Sequence, residues 1–253
     1  MTMSSFVKWL GLTGAALLVA GCASTGPRAG FAAADDYEPT SRFFHENNVR
    51  LDRFILRPAA QGYDLVAPDL VKHLVGNGLS HLELPGDFAN FALQGDVDNS
   101  LDTLGRFVLN TLMGAGGLLD PANEFGLPHK QTDFGITLGK YGVGEGTYLV
   151  VPLLGPTTAR DLLGFAVDNA FSPTFYIGQF TALDAVGPSV TAGDIIHGRD
   201  ARFKIIDDLL YESEDSYVTL RSAFLQRRRA QIAGPDSTVD SLPDLFDDEN
   251  TDN

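Results

Sequence analysis

The sequence has only one cysteine, Cys22, among its 253 residues. An internal disulfide is therefore excluded, and the leftover cysteine of a secreted protein needs another role. The apolar run at residues 9–20 has the length of a secretory signal, which is too short to span a bilayer, and small residues precede Cys22. We interpret residues 1–21 as a signal peptide that ends in a lipobox, and Cys22 as the lipidated first residue of the mature protein. A buried free thiol behind an ordinary cleavage site is the alternative.

Basic residues are also few. There are 18 lysines and arginines against 33 aspartates and glutamates, which gives a formal net charge of -15. Nucleic acid is therefore disfavoured as a partner, because its binding would need a basic patch. The one locally basic run, residues 227–229, is expected to be the solvated last turn of a helix.

The usual signatures of an enzyme or a metal site are missing. The five histidines show no H-E-x-x-H or other paired spacing, and no G-x-S-x-G nucleophile elbow occurs. We therefore predict no metal, no cofactor and no catalytic residue. A phospholipase assembled from distant positions, such as Ser80, His81 and Asp133, stays open as the alternative.

Composition divides the mature chain into three parts. Residues 22–34 are rich in small residues and are predicted to be a flexible tether. Residues 35–233 form the body, in which Gly and Pro separate segments of helical periodicity. Residues 234–253 hold seven acidic residues and few apolar ones, so we predict a disordered tail.

The clearest helix is predicted for residues 96–113, where apolar residues recur at spacings of three and four and Asp96 is the cap. Residues 203–210, 217–232, 65–75 and 87–93 are predicted to be further helices. A strand at residues 148–154 is disfavoured because Pro152 lies near its centre.

Three stretches carry no charge: residues 107–119, 146–159 and 169–183. None has the roughly 20 residues that a spanning helix needs. They are either the core of a soluble globule or helix-break-helix pieces that enter and leave a single membrane leaflet, since about ten helical residues rise ~15 Å. The residue pattern alone leaves both accounts open.

Five segments of the body resemble the VacJ/MlaA family of outer-membrane lipoproteins: residues 77–85, 90–95, 106–117, 133–146 and 153–161. They are long and occur in the same order and with the same spacing as in the family, and the resemblance extends from about residue 35 to about residue 228. The chain departs from the family pattern at Asp36, Pro39 and Ser41, which concerns only the entry to the first helix. The motif residues for which we expect structural roles are Arg42, Asn48, Asp52, Arg57, Pro58, Arg106, Asp133, Phe134, Gly135, Arg160 and Asp161.

The resemblance implies both the fold and the function. The expected fold is all-α, a ring-like bundle of short amphipathic helices embedded in one membrane leaflet, with an amphipathic central channel. The expected function is to remove mislocalised phospholipids from the outer leaflet of the outer membrane. The expected partners of the protein are an outer-membrane porin trimer and a periplasmic lipid-binding carrier protein that receives the phospholipid. The expected location is the periplasmic face of the outer membrane, anchored by lipid on Cys22.

A headgroup that crosses hydrocarbon needs a polar path, whereas the outside of such a ring must be apolar. Candidate residues for the path are polar side chains and glycines in or beside the apolar runs: Asn90, Gln94, Asn110, Thr111, Gly114, Gly116, Gly139, Gly142, Gly144 and Gly146. For each polar residue, a helix cap or a hydrogen-bonded core amide is the alternative. An outer-membrane phospholipase and a structural porin-associated lipoprotein are the other two functions considered.

Overall fold

The computed structural model describes residues 35–171 and 186–234. The predictions for Cys22, for residues 1–34 and for residues 235–253 lie outside these ranges, as does most of the charge-free stretch at residues 169–183. The described part of the chain is mainly helical, which confirms the expected all-α class with one small exception. That exception is a two-stranded antiparallel hairpin.

The described helical elements follow in chain order. They are α1 Glu38–Leu51, a π-helical turn Asp52–Leu56, α2 Arg57–Val66, α3 Asp69–Leu93, α4 Val97–Leu112, α5 Pro121–Glu124, α6 Phe134–Lys140, α7 Ala159–Phe171, α8 Val186–Ala201, α9 Phe203–Asp207, a second π-helical turn Asp208–Glu212, and α10 Ser216–Ala233. Strands β1 Tyr148–Val151 and β2 Gly155–Thr158 lie between α6 and α7.

Side-chain caps explain where the predicted helices begin. The Asp96 side chain accepts a hydrogen bond from the backbone N–H of Asn99 and starts α4 where the sequence predicts it. Asp215 accepts from the N–H groups of Tyr217 and Val218 in the same way and starts α10. Both helices are confirmed within one or two residues.

Residues 65–75 and 87–93 were expected to be two helices. Both stretches are helical apart from residues 67–68, but their bounds were wrong, because residues 65–66 end α2 and residues 69–93 form the single helix α3, which runs through Pro85. The prediction that Pro152 disfavours a strand was wrong as well. A proline inside a helix costs about 3 kcal/mol, and the long contact of α3 with α4 offsets this. In the hairpin, Pro152 does not interrupt a strand because it lies in the turn, immediately after β1.

A small aromatic core joins β1 to α1 and α10. Tyr148, Val150, Tyr217 and Leu225 are buried there, with Phe44 and Phe224 packed against them. The rings of Tyr148 and Tyr217 meet edge to face with their centroids 5.9 Å apart. Each of the described helices falls short of the length or the hydrophobicity needed to cross a membrane.

Candidate functional site

Helix α4 exposes its apolar face and buries its polar face. Ser100, Thr103, Arg106 and Asn110 are buried, whereas the predicted apolar stripe of Val97, Leu101, Leu104, Val108 and Leu112 is exposed. Leu112 is 78% exposed and Asn110 is 4% exposed. In a helix at the surface of a water-soluble protein the two faces are the other way round.

The exposed face has no charge over a long distance. Between Asp102 and Asp120 the only charged residue is Arg106, and its side chain is turned inward. Single exposed apolar residues are ordinary on a protein surface, but a contiguous apolar patch indicates a contact with lipid or with a partner. Further exposed apolar side chains lie at Phe54, Ile55, Leu65, Val66, Leu70, Met113, Leu118, Leu119, Leu153 and Leu154.

The inner face of α4 is held by a network around Asp120. The Nη2 of Arg106 donates to Asp120 at 2.9 Å, and the Nδ2 of Asn110 donates to the same carboxylate at 2.8 Å. Burial alone would raise the pKa of Asp120, but the hydrogen bonds from Asn110 and Arg106 hold it below its ordinary value. Asn110 also accepts from the N–H of Ala122 at 3.0 Å. This candidate path residue is therefore placed as a hydrogen-bonded interior amide.

Asn90 lies in the last turn of α3, and Gln94 is the capping residue that follows this helix. Asn90 donates to Asp168 of α7 at 2.8 Å, and its Oδ1 accepts from the hydroxyl of Thr137 in α6 at 3.0 Å. Gln94 donates to the same hydroxyl at 2.8 Å and accepts from Lys140 at 2.8 Å. These two candidates form a polar junction between three helices. Asn110 and Thr111 have other partners and do not belong to this junction.

Thr111 contacts His81 instead. The Thr111 hydroxyl donates to the carbonyl of Phe107 at 2.6 Å and lies 3.2 Å from the Nε2 of His81. The His81 ring is stacked on the Phe107 ring at 4.9 Å. Its burial lowers the pKa of His81, which favours the neutral ring.

Glycine is required in the loop that follows α4. A Cβ on Gly114 would approach the carbonyl oxygens of Asn110 and Leu119 to 2.5 Å, and a Cβ on Gly117 would meet the His81 ring. Gly116 has φ +74 and open space around it, so its backbone conformation is the constraint there.

The glycine-rich loop after α6 is tied down at several points. The Tyr141 hydroxyl donates to the carbonyl of Leu93 at 2.5 Å, and the carbonyl of Val143 accepts from Arg160 at 3.3 Å. Gly142 and Gly146 have positive φ, while Gly139 lies against the Ile232 side chain and Gly144 has open space. Three of these four glycines therefore have a local structural reason.

The expectation that residues 227–229 are merely solvated was wrong for two of the three arginines. Arg228 donates to Asp133 at 2.6 Å and to Asp161 at 2.8 Å, and thereby ties α10 to α6 and α7. Burial alone would lower the pKa of Arg228, but hydrogen bonds to the two carboxylates raise it. Arg229 is paired with Glu145 at 2.8 Å. A local charge pattern cannot show carboxylates that are distant in the chain.

Asp133 has a second role at the same junction. Its Oδ1 accepts from the N–H of Ile136 at 2.8 Å and so caps α6. Next to it, the N–H of Phe134 donates to Asp168 at 3.0 Å, and Gly135 lies so close to Gly164 that a Cβ on Gly164 would come within 2.3 Å of its nitrogen. Arg160 and Asp161 contact each other at 3.2 Å.

The remaining motif residues join the first helices to the last ones. Arg199 binds Asp52 at 2.7 Å, and Arg57 binds Asp207 at 2.7 Å. Arg199 also pairs with Asp207, so the two π-helical turns lie beside one partly buried charge network. Arg42 pairs with Asp215 at 3.0 Å, and Pro58 lies in the first turn of α2. Asn48 binds the hairpin.

Two of the three residues of the phospholipase alternative, His81 and Asp133, have different partners. The Nε2 of His81 contacts Thr111, whereas Asp133 is bound by Arg228 and the α6 backbone. Within the described ranges, no group of His, Cys, Asp and Glu side chains is arranged to hold a metal ion.

These features define a mainly helical protein whose interior is joined by polar side chains and whose outer surface is rich in apolar ones. Residues 33–231 match the family described as MlaA lipoprotein. Since this match spans most of the chain, the protein belongs to that family.

Individual relatives agree with the assignment. An uncharacterized protein of Rickettsia felis is 37% identical over 204 residues, which is 80% of each chain. The intermembrane phospholipid transport system lipoprotein MlaA of Escherichia coli is 32% identical over 216 residues, which is 83% of this chain and 82% of the relative. A chain solved in work on the structural basis for maintenance of bacterial outer membrane lipid asymmetry matches with a TM-score of 0.67 and 34% identity, over 77% of this chain and 97% of that one.

Proposed function

We propose that this protein is a lipid-anchored component of a pathway that removes mislocalised phospholipids from the outer leaflet of the outer membrane. In this proposal it lies at the periplasmic face, embedded in one leaflet as a ring with a polar path. It works beside an outer-membrane porin trimer and passes phospholipid to a periplasmic carrier protein. The names of its relatives support the transport role.

The observation that carries the proposal is the orientation of α4. Its charge-free face points outward, and the one charged side chain in this stretch, Arg106, is paired with Asp120 inside. Each large apolar side chain on the exposed face gains about 1.5–3 kcal/mol when it leaves water for an apolar medium. The exposed α4 face thus supports the leaflet account over the soluble-core account for residues 107–119.

The polar junctions support a path for headgroups rather than a reaction centre. Asn90, Gln94 and Asp168 present amides and a carboxylate between helices, and burial raises the pKa of Asp168 despite hydrogen bonds from Phe134 and Asn90. In this proposal a headgroup binds there by replacing some of the hydrogen bonds that these groups make to each other. No nucleophile and base with an oxyanion donor are joined among these contacts.

The test is complementation of a strain that lacks the gene. Restoring the full-length protein should lower the amount of phospholipid in the outer leaflet, and the Leu112→Asp variant at equal abundance should not. If the strain kept normal lipid asymmetry without the gene, the transport role would be wrong.

A further inference from the structure

The turn of the β-hairpin is an exposed apolar point. We use the name hairpin tip for residues 152–154, which connect β1 to β2. Leu153 is 73% exposed, and Leu154 is 49% exposed. Leu153 also has φ +69, a backbone conformation that L side chains rarely adopt. The fold thus exposes a large apolar side chain on a backbone conformation that would suit glycine better.

The side chain of Asn48 fixes this conformation. Its Nδ2 donates to the carbonyl of Val151 at 3.0 Å, and its Oδ1 accepts from the N–H of Leu153 at 2.9 Å. Pro152 has no N–H to satisfy. One amide therefore satisfies one backbone donor and one backbone acceptor at the base of the tip, which lowers the cost of bringing this backbone into hydrocarbon.

The sequence on either side of the tip carries no charge. Between Glu145 and Arg160 there are fourteen uncharged residues, and both strands of the hairpin lie within them. Recognition by an acidic or a basic partner has nothing to act on along this segment. An apolar occupant fits it.

The length of the predicted tether limits how far the lipid on Cys22 can lie from the body of the protein. It joins the body at Asp35, which accepts from the Tyr217 hydroxyl at 2.8 Å and pairs with Arg221 at 3.3 Å. From there α1 leads to Asn48 beside the tip, and its 14 residues rise about 21 Å. The thirteen residues from Cys22 to Asp35 can extend to about 45 Å. Acyl chains on Cys22 and the hairpin tip can therefore reach the same leaflet at the same time.

We propose that the hairpin tip inserts into the acyl-chain region of the leaflet that holds the lipid of Cys22, as a second and separate anchoring point. The inference rests on the proposed function in one respect, since it assumes a lipidated protein at a membrane. Its occupant is phospholipid hydrocarbon and not a protein.

Cys22 is the only cysteine, so an introduced cysteine is the only free thiol of the lipidated protein. The variant Leu153→Cys would carry a polarity-sensitive fluorophore in vesicles of phosphatidylethanolamine and phosphatidylglycerol that contain acyl-chain nitroxide lipids. We expect the probe to lose most of its fluorescence. The matched control is Glu214→Cys, an exposed polar position before α10, which should keep its fluorescence.

Asn48→Ala combined with Leu153→Cys tests the role of the clamp. The probe should be quenched less, because the tip has lost its two fixed backbone contacts. A far-UV spectrum checks that both variants keep their helices.

The outcomes separate this inference from the proposed function. A Leu153 probe that is not quenched, beside a Leu112→Cys probe that is, would overturn the hairpin inference and leave the leaflet account standing. If neither probe were quenched, both would fall. A Leu153 probe that is shielded in native outer membranes but exposed in pure lipid vesicles would show a protein occupant and would also overturn the inference.

Discussion

Arg106 donates to Asp120 at 2.9 Å from the buried face of α4, and this pair removes the only charge from an exposed stretch of seventeen residues between Asp102 and Asp120. The pair also closes the loop that follows α4, because Asp120 caps α5 through the N–H of Asn123. The ion pair lies on the buried face of α4, and the apolar side chains lie on its exposed face. Each can be tested without the other.

Arg106→Met should lower the free energy of unfolding by about 1–3 kcal/mol, because it leaves the partly buried Asp120 carboxylate without its charged donor. Urea unfolding followed by far-UV circular dichroism measures this loss. Arg50→Met is the matched control, since its pair with Glu46 is largely exposed and is worth about 0–1 kcal/mol. Equal losses in the two variants would show that the Arg106 pair stabilises nothing beyond a surface contact.

Leu112→Asp should weaken membrane embedding, because a charge at the bilayer centre costs about 2.5–3.5 kcal/mol and less toward the interface. Outer-leaflet phospholipid at matched protein abundance is the measurement. Ser222→Asp, which adds the same charge at an exposed position of α10, should have no comparable effect. A harmless Leu112→Asp would remove the support for lipid contact at this face.

Asn110 cannot serve as the polar-face counterpart of Leu112 in that experiment. Its amide lies 2.8 Å from Asp120, so Asn110→Asp would set two carboxylates against each other inside the protein. The residue pattern predicts that Asn110 and Leu112 point in different directions, and they do. It does not show that Asn110 faces a carboxylate.

The same limit explains which features the sequence could predict. Periodicity and the Asp96 cap predict α4 within a residue, because they depend on neighbours in the chain. Whether its apolar stripe faces a core or lipid depends on what the rest of the chain covers. The Arg228 pair with Asp133 joins residues that are 95 positions apart, and no local pattern reports such a contact.

Stability should fall as the pH drops from about 7 to 5, in part through His81. An unfolded histidine has a pKa near 6.5, and burial lowers the pKa of His81 in the folded chain. The unfolded state therefore binds more protons in this window, so the stability present above pH ~6.5 is lost as the pH falls toward the folded pKa. His45, whose pKa burial also lowers, adds to the same slope.

His81→Gln should make the pH 7 to 5 slope of the unfolding free energy shallower, because one of the two buried rings no longer titrates. Chemical unfolding at several pH values gives this slope. His73→Gln, a change at an exposed ring, is the matched control variant. An unchanged slope in the His81 variant would mean that the ring is protonated without hindrance in the folded protein.

The purified protein should release neither fatty acid nor headgroup from phosphatidylethanolamine or phosphatidylglycerol. His81 contacts Thr111, and Asp133 contacts Arg228. The histidine and the carboxylate are therefore not hydrogen-bonded to each other, as a catalytic pair would be. Labelled phospholipid and thin-layer separation provide the assay. Steady turnover that disappears in Ser80→Ala would restore the phospholipase alternative.

Cys22→Ser should leave an unacylated precursor, because lipid attachment through a thioether requires this thiol and the chain has no other cysteine. Metabolic labelling with palmitate followed by immunoprecipitation measures the attachment.

Acyl chains contribute about 0.8 kcal/mol of membrane affinity per buried methylene group, so their loss should reduce membrane association. The signal peptide of the precursor, the exposed α4 face and the hairpin tip remain in this variant, so we expect the reduction to be incomplete. Cys22→Ser combined with Leu112→Asp should then release more protein from membranes than either change alone. Palmitate retained by Cys22→Ser would refute the lipobox interpretation, and full release by Cys22→Ser alone would show that the apolar surface provides no anchorage of its own.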